Sequence, residues 1–500
     1  MDHSVDYIIV GAGTAGCILA HRLSEDPAVE VMLLEAGGPA DDERIRDATR
    51  AMELQGGEFD WQFETVPQPE LNERTEAWAR GKVLGGSSSI NGMLHLRGHP
   101  SDFDAWAARG NDGWSYEDVL PYFKRSETYE NHEGPARGGD GPIHVVREPV
   151  DQVGEAIKTA ACRALDLQEI EDYNAGTQEG VAHIQRAINE GRRSGAVSGY
   201  IDPVRDRDNL EILTRAYVTQ VLLDGASADG VECLVDGTAR TFGAREEVIL
   251  ACGSVQSPQL LMLSGIGPRD HLKERGIDVA LELPGVGRNL QNHLIASVIC
   301  ETNVDEPAAP VPVVAFERVD PDAPAPELQY TMNPSFFQPE MEGDSDTTGF
   351  TLSVTYQRPR SRGRIMLASS DPQEHPVIDP NYFEVEEDLE MMVRGITGAR
   401  RIAETAPLSE YRERELRPGP DVTSEAELEE FVRENARTTQ HPVGTCKMGS
   451  DDMAVVDDRL RVHGIDGLRV IDASIMPTIP SANTNAATIA VAERGAALIE

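Results

Sequence analysis

An α/β architecture, in which a doubly wound parallel-sheet domain is interleaved with an α+β domain carrying an antiparallel sheet, is the fold class the sequence predicts. Three observations predict it. The chain opens on a strand–turn–helix–strand pattern, its distinctive motifs recur at the start, middle and end, and its 500 residues exceed a single hydrophobic core. Less distinctive stretches fill the intervals, so two interwoven domains are expected rather than two beads. Residues 1–148, 190–294 and 438–500 form the first; 149–189 and 295–437 form the second, the substrate-binding one.

The opening unit consists of strand Tyr7–Val10, turn Gly11–Gly16, a helix pattern over Cys17–Ser24 and a second apolar strand over Val29–Glu35. A loop-rich stretch to about Ala79 gives way to a segment dense in glycine and serine. Residues 152–166 show helical periodicity, and 210–223 read as one or two strands. Val248–Ala251 is a short buried strand running into Gly253. Residues 304–327, rich in proline and acid, read as a loop or interdomain connection. After them come strand-like runs at Leu328–Tyr330, Phe350–Tyr356 and Arg364–Ala368, then acidic amphipathic helices across 384–435. A strand at Leu468–Asp472 and a helix from Asn485 end the chain.

Apolar residues make up 40% and aromatic residues 5%, so Leu, Val, Ile and Ala supply most of the core. There is no apolar run of about 18 residues, hence no membrane span, and nothing signal-like precedes the first strand. A cytoplasmic location is expected. The formal charge is −41, and the only lysines are Lys82, Lys124, Lys158, Lys273 and Lys447. Such a surface argues against nucleic-acid binding and repels itself in dilute buffer. Molar salt shortens the screening length to about 3 Å, so a salt-rich cytoplasm is expected, with a merely acidic mesophilic protein as the alternative. The six cysteines show neither zinc spacing nor a disulfide framework. Cys17 and Cys252 read as core residues.

Gly11-Ala12-Gly13-Thr14-Ala15-Gly16 is a G-x-G-x-x-G between an apolar strand and a helix pattern. Its glycines permit a tight turn and let a pyrophosphate approach the helix N-terminus, where amides and dipole favour anions. Glu35, ending the second strand, is placed for ribose hydroxyls and disfavours a 2′-phosphate. The motif predicts a dinucleotide without separating FAD from NAD. The segment Arg80–Gly92 has paired glycines and small hydroxyl residues, suiting a backbone that lies against a flat ring or makes a tight bend.

Taken with its continuation Met93–Gly98, that segment resembles the first signature of the glucose–methanol–choline oxidoreductases, in particular their choline-dehydrogenase-like branch. Gly253–Gly267 resembles the second signature; Val286–His293, His441–Gly449 and Arg469–Pro477 follow as landmarks in the expected order. The resemblance implies FAD along Gly11, Gly13, Thr14, Ala15, Gly16, Glu35 and Ala36. It extends the site to Val83, Gly85, Gly86, Ser87, Asn91, Gly92, Leu94, Val218, Asp472, Ala473 and Asn485. Asp472, at a strand end, either binds a ribityl hydroxyl or caps the next turn. Ile90 stands where some members tether flavin through histidine, so FAD held non-covalently is expected.

The catalytic candidate is His441, which Pro442 pushes towards extended geometry. An imidazole takes a proton near neutral pH, and a deprotonated alcohol is the better hydride donor to flavin N5. The resemblance implies a base here and a C-terminal amide partner, for which Asn485 is expected and Asn483 is the rival; Asn485 also suits a helix N-cap. The implied activity is oxidation of a small alcohol at CH–OH, with a non-redox lyase as the alternative and the electron acceptor unspecified. Two departures bear on substrate. The interval from His293 to Leu328 is short, implying an open pocket or one closed by a second subunit, as in a homo-oligomer. Gln440 stands where an aromatic residue would help cage a quaternary ammonium. His95 stands where the family usually has an aromatic residue.

Overall fold

The computed structural model describes residues 3–130, 134–303, 313–335 and 348–499. Parallel strands β1 (His3–Val10) and β2 (Val31–Glu35) are joined through α1 (Thr14–Leu23), as the opening pattern predicts. The chain leaves this layer through α2 (Gln152–Leu165) and β3 (Gly180–His183), then returns with β4 (Leu210–Thr214). A meander of β5 (Ala216–Asp224), β6 (Ser227–Val235) and β7 (Thr238–Leu250) leads into α3 (Gly253–Leu263). The second excursion builds β8 (Leu294–Thr302), β9 (Val313–Glu317), β10 (Leu328–Asn333) and β11 (Thr348–Tyr356). It continues through α4 (Glu386–Glu404), β12 (Arg412–Arg417) and α5 (Glu425–Asn435), before β13 (Leu468–Val470) and α6 (Thr484–Ile499) rejoin the first layer.

The first sheet has the order β4-β2-β1-β7-β6-β5, with β13 beside β7. Its β1, β2, β4, β7 and β13 pairings are parallel, and the β5–β6–β7 pairings antiparallel. Strand β2 is buried along its whole length, as parallel strands under crossover helices are. The second sheet, β12-β8-β11-β10-β9-β3, is antiparallel throughout. One of its faces sends Ala296, Val298, Tyr330, Met332, Leu352 and Val354 into a core shared with α2, α4 and α5. Its other face looks back towards the first sheet, and the site lies between them. No helix among the described residues is long and apolar enough to cross a membrane.

Three elements differ from expectation. The short strand at Val248–Ala251 is the end of the 13-residue β7, whose start is polar and exposed and carries no apolar signal. It leaves β6 through Asp236-Gly237, both at positive φ, the geometry of a tight hairpin. Within 304–327, residues 313–317 form β9 rather than a loop, because Val313–Phe316 is a fully buried apolar run; residues 304–312 lie outside those described. The acidic stretch 384–435 is two helices interrupted by β12.

His95 belongs to a buried ionic cluster. Its Nε2 lies 3.1 Å from Glu127 Oε2, while Glu127 Oε1 accepts from Arg97 at 2.6 Å and Arg137 at 2.7 Å. Burial raises the Glu127 carboxyl, but Arg97, His95 and Arg137 outweigh it and hold the group down at about 2. The cluster pins the segment that follows the glycine–serine loop. Glu127→Ala leaves two buried guanidinium groups without their shared carboxylate. It is expected to cost about 3–5 kcal/mol of folding stability. Denaturant unfolding in molar KCl measures this, and a loss below about 1 kcal/mol would show that the cluster is solvated.

Candidate active site

One cavity of about 820 Å³ runs from Glu35 at the end of β2 to His441 beneath the second sheet. At its first-sheet end the motif glycines divide their roles. A Cβ on Gly11 would stand 2.7 Å from Ala251 O, and one on Gly16 1.9 Å from Gly11 O, so both positions are closed to larger residues. A Cβ on Gly13 would meet nothing nearer than 4.0 Å, and no side chain caps α1. The helix N-terminus is therefore bare towards the cavity, as a pyrophosphate requires.

The Arg80–Gly92 loop lies directly on this turn. Gly85 N donates to Ala12 O at 2.7 Å, and a Cβ on Gly86 would come within 2.7 Å of Gly13 Cα. Arg193 Nη1 holds the loop from behind, donating to Asn91 O at 2.7 Å and Asn91 Oδ1 at 2.8 Å. Glu35 accepts from Ala12 N at 3.0 Å and Gly37 N at 2.7 Å, and burial raises its carboxyl to about 7. Bare amides at one point and a carboxylate at the strand end fit the pyrophosphate and ribose of FAD.

Of the expected cofactor residues, Gly11, Gly13, Thr14, Ala15, Glu35, Ala36, Gly86, Ser87, Asn91, Gly92, Leu94, Val218, Asp472, Ala473 and Asn485 line the cavity. Gly16, Val83 and Gly85 do not; they stand behind the wall and support it. Asp472 is a cap: Oδ2 accepts from Gly253 N at 2.8 Å and Ser257 Oγ at 2.5 Å, and Oδ1 from Ser474 N at 2.7 Å. Cys17 is core, whereas Cys252, also expected in the core, lines the cavity at the start of α3.

His441 opens onto the far end of the cavity. Its Nε2 lies 3.0 Å from Nδ2 of Asn483, not of Asn485. Asn485, expected as the partner, is the second residue of α6, and its Oδ1 accepts from Thr14 Oγ1 at 2.9 Å. The two asparagines are neighbours in sequence but face different parts of the cavity, because Asn483 precedes the helix and Asn485 lies inside it.

Hydrogen bonds on the other side of the ring fix its tautomer. Thr439 Oγ1 donates to His293 O at 3.0 Å, so that hydroxyl accepts from His441 Nδ1 at 2.8 Å. His293 presents Nδ1 to the same nitrogen at 3.2 Å, and its Nε2 donates to Gln357 O at 3.0 Å. Nδ1 of His441 thus carries the proton, and Nε2 keeps a lone pair towards Asn483 and the cavity. Burial, then His293 and Arg80, push the His441 pKa well below the ordinary imidazole value. Burial likewise lowers His293, to about 4. Sequence reasoning missed Arg80, Trp61 and a row of polar side chains on β8, β10 and β11, all lining the cavity. The period-2 polar alternation at Gln329, Thr331 and Asn333 is a signal that could have revealed part of the row.

A dinucleotide cradle running into a part-buried histidine whose Nε2 is an acceptor is the arrangement of a dinucleotide-dependent oxidoreductase. Residues 5–295 and 359–492 match the N- and C-terminal models of the GMC oxidoreductases. The oxygen-dependent choline dehydrogenase of Burkholderia pseudomallei (strain 1710b) is 42% identical over 98% of this chain and 92% of its own. That of Ectopseudomonas mendocina is 40% identical over 99% and 94%. Among solved structures, pyridoxine 4-oxidase from Mesorbium loti superposes with TM-score 0.94 at 34% identity, covering 99% of this chain and 98% of its own. A formate oxidase does so at 0.92 and 29%, with the same coverage. The chain belongs to the GMC oxidoreductase family, and the fold and FAD-dependent alcohol oxidation expected from its motifs stand with that family.

An imidazole accepts a proton only when neutral, so a lowered His441 pKa extends its proton-accepting range towards acid. The acid limb of kcat/KM, lost as pH falls through the His441 pKa, is expected to lie below about pH 6.5, the unperturbed value. A pH profile whose limb is centred above that value would contradict the assigned environment.

Proposed function

We propose that the chain converts the CH–OH group of a small alcohol to a carbonyl, with His441 as base and Asn483 as the amide that orients the hydroxyl. The locked His441 tautomer carries this reading: it makes Nε2 the acceptor on the cavity side, where Asn483 Nδ2 donates to it and an alcohol hydroxyl would take that place. FAD, when bound, supplies the two-electron acceptor for the hydride that leaves the substrate carbon. His441 Nε2 takes the hydroxyl proton, and Asn483 Nδ2 fixes the direction from which that oxygen approaches. The cavity-lining residues on α1, β2, the Ser87–Leu94 loop, Val218, Ala473 and Asn485 would hold the cofactor. Asp472 would contribute mainly by shaping the turn it caps. Ile90 has no nucleophile to offer, so the flavin is held without a covalent bond. The dehydrogenases and oxidases named above include no lyase.

Anaerobic stopped-flow of the flavin at about 450 nm, the oxidised flavin band, tests the roles. His441→Ala is expected to slow reduction by about 10²–10⁴-fold and Asn483→Ala by about 10²-fold. Asn485→Ala is expected to show itself first as reduced FAD retention. Equal losses of reduction rate for the two asparagines at full FAD content would remove Asn483 from its assigned role.

We also propose that the protein works in a salt-rich cytoplasm. Glu384, Glu386, Glu387 and Glu390 are exposed at the start of α4, and Glu425, Glu427 and Glu430 on α5, within a chain of net charge −41. Screening of such close like charges requires a short Debye length. The thermal midpoint is expected to rise steadily between 0.1 and 3 M KCl, concentrations whose Debye lengths run from about 10 Å to under 3 Å. A midpoint independent of salt would count against this setting.

A further inference from the structure

The two side chains that meet in the cavity are supported in different ways. His441 is held from its own segment and β8: its N donates to Asn292 Oδ1 at 2.8 Å, and Thr439 and His293 hold its ring. Asn483 stands in the connection between β13 and α6, and its Nδ2 reaches His441 Nε2 at 3.0 Å. The support for that connection lies two residues earlier. Every polar group of buried Ser481 is engaged. Its N donates to Asp102 Oδ2 at 2.7 Å, its Oγ donates to Asp102 Oδ1 at 3.0 Å, and its carbonyl accepts from Gln178 Nε2 at 2.8 Å. Arg358 Nη1 closes the group, donating to Asp102 Oδ1 at 2.8 Å and to Ser481 Oγ at 3.0 Å.

Asp102 is the third residue of the helix Pro100–Ala107, whose capping it completes by accepting from His99 N at 2.9 Å. Its bonds to Ser481 and Arg358 do nothing for that helix. They tie its first turn to the C-terminal connection and to the chain just past β11, and they use both carboxylate oxygens. A charged acceptor with a guanidinium among its donors holds more tightly than neutral bonds do. Gly98, at φ +98°, makes room for the meeting: a Cβ there would lie 3.1 Å from Pro480 Cβ and 3.2 Å from Asp102 Oδ2. Beyond the clamp, Ala482 is buried with Leu96, Tyr173 and Phe316, and α6 begins at Thr484. Asn483 is thus bracketed between a clamped serine and a helix start. Asp102, Ser481 and Arg358 stand outside the cavity lining, so what they do for the site they do through Asn483.

We propose, resting on the reading of Asn483 as the amide that orients the hydroxyl, that Asp102 is its positioning residue. Bound to Ser481 and paired with Arg358, the Asp102 carboxylate sets the connection so that Asn483 Nδ2 meets His441 Nε2. Asp102 exchanges no proton or electron with the substrate. Its effect is geometric, and a displacement of about 1 Å in such a group costs about 10²-fold in rate.

The test sets Asp102→Ala beside Asn483→Ala, singly and together, in the FAD-loaded enzyme in molar KCl. Histidine labelled with ¹⁵N reports the hydrogen bond itself. The Nε2 resonance of His441, identified by its disappearance in His441→Ala, is expected to move in Asp102→Ala to where Asn483→Ala puts it. A resonance left in place by Asp102→Ala overturns the proposal, whatever the rates. Choline, 1-butanol, benzyl alcohol and pyridoxine are the reducing probes, and the one that bleaches the flavin fastest is used throughout. Asp102→Ala is expected to slow bleaching by about 10²-fold and to add less than about twofold to Asn483→Ala. Losses that multiply in the double variant mark a general structural defect and overturn the proposal. If Asn483→Ala moves the resonance but bleaches at full rate, the orienting role of Asn483 fails and the resonance in Asp102→Ala still decides the clamp. It alone decides if no probe bleaches the flavin. Ser481→Ala, which removes only the hydroxyl of the clamp, replaces Asp102→Ala if that variant does not retain FAD. A smaller shift in the same direction is then expected, and an unmoved resonance again overturns the proposal.

Discussion

Backbone laid on backbone without side chains between them is the contact on which the rest of the structure depends. Gly16 against Gly11 O, Gly11 against Ala251 O and Gly86 against Gly13 Cα bring three segments from distant parts of the chain to one point. Each approach is closer than a Cβ permits. Together they join β1, α1, the Arg80–Gly92 loop and the end of β7, and they leave the α1 N-terminus bare. That bare terminus faces the cavity because the segments around it are too close to fill the space themselves. The parallel sheet supplies the apolar burial, but these contacts decide where the sheet ends and a cofactor begins.

The second sheet meets this constraint from the other side. Its β8 begins beside Thr438, which lies three residues before His441, and the pairing of Leu294 with Thr438 carries that histidine under the second sheet. The ring is then oriented by Thr439 and His293, neither of which is itself offered to the cavity as a base. Thr439 spends its proton on a carbonyl, and burial keeps His293 neutral. A relay of uncharged groups thus sets one protonation state for His441, and its low pKa follows first from burial and then from His293 and Arg80.

Much of this was legible in the sequence, and what was legible was local. The βαβ unit, the glycine turn and Glu35 announce themselves through apolar strands and glycine spacing, whereas His441 was singled out among twelve histidines by the family resemblance. Asn483 and Asn485 were not separable that way. They sit two positions apart at a helix start, where the direction of a side chain depends on where the helix begins, and α6 begins at Thr484. β9 was hidden by its proline- and acid-rich neighbours, and the first half of β7 by its exposed polar residues. The cavity wall was hidden by its own core face. Leu328-Gln329-Tyr330 reads as an apolar strand until the fold shows that the intervening glutamine looks at the site.

Surface and site use different electrostatics. A chain of net charge −41 attracts any cation at long range in dilute solution. In molar salt that field collapses within about 3 Å, and a cationic alcohol gains little from it. Buried hydrogen bonds are short-range, so salt leaves them almost untouched. The serine, threonine and amide groups of the second sheet that line the cavity are therefore insensitive to the salt that screens the surface. The charged surface responds to the ionic strength around it, while the buried polar side chains of the second sheet do not, and neither has to compensate for the other.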